Sequence, residues 1–160
     1  MSDRNAPVGV FDSGVGGLTV AREIMRQLPN ERIVYFGDTA RVPYGSKSRD
    51  TVLRYSRQII RFLRTREVKA IVIACNTATS AAASIMRQKY TIPIIGIEPA
   101  VKPAVEQSHG RRVMVVATPL TIREEKLKNL VDRVDNAHHV DLLPLPELVT
   151  FAEREEFNSP

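Results

Sequence analysis

The sequence predicts an α/β protein: a parallel sheet, doubly wound with helices on both faces, followed by an incomplete second α/β domain. Three observations lead there. Short runs rich in Val and Ile recur at 8–11, 32–36, 70–74, 92–97 and 113–117, and runs this continuously apolar suit strands buried on both faces. Segments with the 3.6-residue spacing of an amphipathic helix separate them. Strand and helix therefore alternate, as parallel strands require, because each needs a crossover connection.

The first helical stripe is Leu18, Ala21, Ile24, Met25 and Leu28. The second is Val52, Leu53, Ser56, Ile59, Ile60 and Leu63, and the third is Ala78, Ala81, Ala82, Ile85 and Met86. Each buries one side on a sheet. A longer amphipathic segment at 121–134 follows the fifth strand, then a weaker strand at 140–143 and a last helical piece from 146 to about Phe157. The Pro-containing stretch from Ile97 to Pro103 reads as the internal boundary. It separates a first α/β domain, 1–97, which carries Cys75, from 98–160, the start of a second one.

Composition narrows the function. With 160 residues, 43% of them hydrophobic, the chain buries enough surface to fold without covalent staples. A single cysteine, Cys75, excludes an internal disulfide and a cysteine-based zinc site and fits a reducing compartment. Residues 1–7 are polar, and no run approaches the ~20 apolar residues of a spanning helix, so a cytoplasmic protein without a membrane partner is expected. The net charge of +5 comes from basic residues interleaved with acids, as in Arg61, Arg64, Arg66, Glu67 and Lys69, and reads as solvated helix surface. With 6% aromatic residues and no Trp, specific nucleic-acid recognition is not expected.

In open parallel sheets ligands bind beyond the carboxyl ends of the strands. The loops there read Asp12-Ser13-Gly14-Val15-Gly16-Gly17, Gly37-Asp38 with Pro43-Tyr44-Gly45-Ser46, Cys75-Asn76-Thr77-Ala78-Thr79, and Thr118-Pro119-Leu120-Thr121. The glycine spacing fits neither the dinucleotide fingerprint nor a phosphate loop. Two readings of it stand: bare amides that receive a carboxylate or another small anion, or a helix-entry turn capped by Ser13. Cys75 ends an apolar strand just before a helical segment, where the helix dipole favours a thiolate able to act as base or nucleophile. The polar run behind it argues for function over a buried hydrophobe. His109, His138 and His139 lack metal-ligand spacing, so no metal is expected, and Glu98, Glu147 and Glu153 read as solvated carboxylates.

Four ordered pieces carry a resemblance: Val10 to Leu18, Gly37-Asp38-Thr39 with Pro43-Tyr44-Gly45, Ile73-Ala74-Cys75-Asn76-Thr77-Ala78, and Ala117-Thr118-Pro119 with Thr121-Ile122. Together they resemble the first part of the glutamate racemases, of the aspartate/glutamate racemase family. The resemblance implies interconversion of L- and D-glutamate without a cofactor, an isomerase activity that supplies D-glutamate for peptidoglycan, and hence for cell wall and cell shape. Two bases must flank the α-carbon, one removing the proton and one returning it. By resemblance Cys75 is the first base. Asp12, Ser13, Tyr44, Gly45, Asn76, Thr77, Thr118 and Thr121 bind substrate, and Glu153 falls near the edge of the second half-site.

The family's second cysteine, in a downstream Gly-Cys-Thr-His motif, has no counterpart in these 160 residues. An incomplete or inactive form is therefore expected, because one base exchanges the α-proton but inverts the centre poorly. Leu120 stands where a small residue is usual and is expected to crowd the carboxylate site. Two alternatives remain at this point: a related aspartate racemase, or a non-catalytic amino-acid-binding or regulatory module. A homo-oligomer is compatible with either.

Overall fold

The computed structural model describes residues 4–156 and 158. The elements in order are β1 (Val8–Asp12), α1 (Leu18–Gln27), β2 (Ile33–Gly37), a 3-10 turn (Tyr44–Ser46), α2 (Arg49–Thr65), β3 (Ala70–Ile73), α3 (Asn76–Lys89), β4 (Ile94–Gly96) and α4 (Val101–Gln107). They continue with β5 (Val113–Ala117), α5 (Pro119–Arg123), α6 (Glu125–Val134), β6 (Val140–Pro144) and α7 (Glu147–Glu153).

Two parallel sheets result. The larger has the order β2-β1-β3-β4, with β1 at its centre pairing Val8 with Ile33 on one side and with Ala70 on the other. Alternate side chains leave its faces in opposite directions. Phe11, Ile71 and Ile73 join α2 and α3 residues such as Val52, Ile60, Leu63 and Met86 in one core, while Val10 and Ala74 meet Ala21 of α1 on the other. Helices cover both faces, as the near-continuous Val/Ile runs require. The smaller sheet holds β5 and β6, registered from Val113↔Val140 to Ala117↔Pro144. One face packs on Val101, Leu127 and Leu130 of α4 and α6, while Met114, Val116 and Leu143 are exposed on the sheet.

Three elements differ from the sequence reading. Helix α4 begins inside the stretch read as a boundary, at Val101, because Pro103 is its third residue and proline is tolerated in a first turn. The single helix expected at 121–134 is two: Thr118 caps α5 with Pro119 at its first position, and the extended backbone of Glu124 separates α5 from α6. The last helix ends at Glu153; Phe157, its expected end, lies outside the described residues.

Candidate active site

The sheets present their carboxyl ends to one cavity of about 580 Å³, within the usual size of small-molecule sites. All nine residues singled out in the sequence line it: Asp12 and Ser13 after β1, Tyr44 and Gly45 after β2, Cys75, Asn76 and Thr77 after β3, and Thr118 and Thr121 after β5.

Cys75 is the N-cap of α3. Its Sγ accepts from the Ala78 N–H at 3.4 Å and donates to Ser13 Oγ at 3.5 Å, which places it at the helix N-terminus as the sequence suggested. The expected thiolate is not what this environment favours. Burial pushes the Cys75 thiol above its ordinary value and the nearby Asp12 carboxylate adds to the shift, while the contacts with Ser13 and Ala78 offset only part of it.

The glycine turn serves Asp12. Its Oδ2 accepts from the N–H groups of Gly14 at 3.1 Å and Gly17 at 3.0 Å, so these bare amides hold a carboxylate of the chain itself. Ser13 is not the helix cap; Gly17 occupies that position without a side-chain bond, which leaves Ser13 to contact Cys75. Tyr35 supports the turn from β2 by donating to Gly14 O at 3.0 Å.

Three hydroxyls line the same cavity. Thr77 Oγ1 lies 3.0 Å from Thr118 Oγ1 and 3.1 Å from Thr121 Oγ1, and these two are 2.9 Å apart. The triangle joins the loop after β3 to the loop after β5. Gly45 sits against the same threonine: a Cβ built on it would lie 2.4 Å from Thr118 Cβ, so only glycine fits. Asn76 is exposed on the cavity wall. Thr79 turns away from the cavity and donates to Ile73 O at 3.1 Å.

Two residues were undervalued by sequence and one was misplaced. Asp38 is buried, accepts from the Tyr44 hydroxyl, and accepts from Arg41 Nε at 2.8 Å, fixing the turn that carries Tyr44 and Gly45. The Gly37-Asp38 dipeptide after β2 was the available signal. Glu153, a solvated carboxylate on the residues alone but near the site's edge by the resemblance, lines the cavity and accepts from the Val15 N–H at 3.3 Å. It lies so close to Gly14 that a Cβ there would meet Glu153 Oε1 at 2.0 Å. Leu120, expected to crowd the carboxylate site, instead points into the core with Phe11 and Tyr44.

Among the described residues no three His, Cys, Asp or Glu side chains gather as a metal site, and no helix is long and apolar enough to cross a membrane. The cavity's chemistry is that of a buried thiol near a carboxylate, in a lining that also holds three hydroxyls.

The family model of Asp/Glu/Hydantoin racemases matches residues 8–154. The chain belongs to this racemase family. Among curated relatives, the glutamate racemase of Halothermothrix orenii is 54% identical over 146 residues, 91% of this chain and 58% of the relative. Glutamate racemase 2 of Bacillus subtilis is 50% identical over 153 residues, 94% of this chain and 58% of the relative. The Francisella tularensis glutamate racemase solved in complex with D-glutamate superposes with a TM-score of 0.81 at 39% identity, covering 98% of this chain and 59% of that one. The Escherichia coli enzyme, solved with L-glutamate and the activator UDP-MurNAc-ala, gives 0.85 at 32% identity, covering 96% and 59%. This racemase-family chain thus spans about three-fifths of the length of the relatives it matches.

Proposed function

We propose that the chain forms the first half-site of a glutamate racemase, with residues 1–97 and 98–160 as two α/β units that meet over the substrate. The observation that carries this reading is the buried Cys75 thiol, bonded to Ser13 and acted on by the Asp12 carboxylate, sharing one cavity with the Thr77, Thr118 and Thr121 hydroxyls. Substrate carboxylates are received by the hydroxyls, Asn76 and the amides of the Tyr44–Gly45 turn. The substrate ammonium lies toward Asp12.

This placement gives the thiol its activation. Burial and, after it, the Asp12 carboxylate hold the proton on Cys75; an ammonium beside Asp12 cancels the second of these and lowers the cost of the thiolate. The thiolate then takes the α-proton, the S–H bond forms as the C–H bond breaks, and the electron pair passes into the substrate carboxylate as an enolate. Inversion needs an acid on the opposite face, so a second base completes the reaction. The product is D-glutamate for peptidoglycan, made in the cytoplasm.

The test is incubation of the chain with L-glutamate in deuterated water, following α-deuteration and optical rotation. Deuteration without racemisation is the expected result and identifies Cys75 as the base of a half-site. Racemisation would place the second base in another copy of the chain. A folded chain that gives neither signal, while glutamate fails to slow alkylation of Cys75, would overturn the reading.

A further inference from the structure

Charge is sorted by layer in this fold. Helices α2 and α3, which share one face of the larger sheet, carry Arg49, Arg54, Arg57, Arg61, Arg64, Arg87 and Lys89 against Asp50 alone. The other long helices are nearly balanced: α1 has Arg22 and Arg26 with Glu23, and α6 has Lys126, Lys128 and Arg133 with Glu125 and Asp132. The excess positive charge is concentrated on one face rather than spread over the surface.

On α2 the excess is ordered. At about 100° per residue, Arg54, Arg57, Arg61 and Arg64 fall within an arc of about 80° on the side away from Val52, Ile59 and Leu63, over a rise of about 15 Å. Arg54, Arg61 and Arg64 are exposed and Arg57 is half-buried. None of the four forms an ion pair among the described residues. Arg57 Nε is buried without a hydrogen-bond partner. Arg54 and Arg64 rest over the rings of Tyr55 and Tyr90, each 5.5 Å from the centroid, which steadies their stems. Asp50 shares the arc one turn before Arg54, and Glu67, which interrupts the basic run in sequence, lies beyond the helix end at a positive φ of 54°.

We propose that this outer face of α2 binds the phosphodiester backbone of duplex nucleic acid, without reading its sequence. A duplex presents a negative charge about every 1.7 Å of its axis, so a 15 Å run of unpaired arginines meets a dense row of phosphates. Guanidinium groups match phosphate oxygens bidentately, which an ammonium cannot do. A lipid surface fits the face less well, because the arc itself carries no apolar side chain to enter the acyl boundary. The face is built from the helix backs and lies apart from the cavity at the strand ends, so the two bind independently.

The test is fluorescence anisotropy of a labelled random-sequence duplex against salt. With four phosphate contacts the slope of log K on log salt is about −3.6, equivalent to roughly a 150-fold loss between about 50 and 200 mM. The R54Q/R61Q/R64Q variant should retain a slope of about −0.9, with an unchanged circular dichroism spectrum and glutamate binding. The R22Q/R26Q/R133Q variant, which removes the same charge elsewhere, should bind as the parent does. Equal losses in both variants, no binding to duplex at low salt, or binding only to phosphatidylserine vesicles would each overturn the proposal.

Discussion

Strands β3 and β5 are made of nearly the same material, Ala-Ile-Val-Ile and Val-Met-Val-Val-Ala, and meet different fates. Ile71 and Ile73 of β3 are fully buried, since the strand lies inside a four-stranded sheet with helices on both sides. Met114 and Val116 of β5 are 63% and 41% exposed, since α4 and α6 cover only the other face of the two-stranded sheet. Apolar composition therefore states that a strand can be covered, while the number of layers around it decides whether it is. The cavity sits between the covered region, which supplies Asp12, Ser13 and Cys75, and the half-covered one, which supplies Thr118 and Thr121.

The contrast can be tested most strongly in the two strands. Ile71→Ala opens a cavity in a closed core and should cost about 2–5 kcal/mol by urea unfolding, whereas Met114→Ala should stay within about 0.5 kcal/mol. Equal costs would mean that the exposed face of β5 is covered in solution. Next in size is the junction itself. Gly45→Ala drives a methyl into Thr118 and should cost about 1–3 kcal/mol while weakening glutamate binding measured by calorimetry. A neutral result would show that the two sheets can part at little cost.

Thr118→Ala removes the α5 cap and one corner of the hydroxyl triangle, for about 0.5–2 kcal/mol of stability, and Thr118→Ser should restore both. A smaller effect on stability belongs to Asp12→Asn, which is read through Cys75. The raised thiol contributes stability that is fully present below the ordinary thiol value of 9.0 and is lost as pH rises through the higher folded value. Removing the Asp12 charge moves the folded value down, so alkylation by iodoacetamide should begin at lower pH and the alkaline loss of stability should shrink. Alkylation at unchanged pH would mean that burial alone sets the thiol.

Much of this was legible in the chain. Val/Ile runs marked the strands, and most of the polar residues after them line the cavity, although Thr79 and Leu120 of the same loops pack in the core. What was hidden depended on backbone detail. The start of α4 two residues before Pro103 was hidden because a proline's place in a first turn is invisible until the helix start is known. Apart from the resemblance nothing near Glu153 in the chain marked it, because the partner that draws it in, the Val15 amide, is 138 residues away. The state of Cys75 was misjudged because the helix terminus is local and readable, while the burial that outweighs it comes from the whole fold.

The three threonine hydroxyls hold a consequence for binding. Each hydroxyl owns one proton, and the triangle of Thr77, Thr118 and Thr121 can be fully bonded only by spending all three internally. A carboxylate that enters brings no proton, so every bond it accepts from this wall is taken from the seam between the sheets. Occupancy and seam strength compete for the same three hydrogens, and the seam loosens as the ligand is gripped.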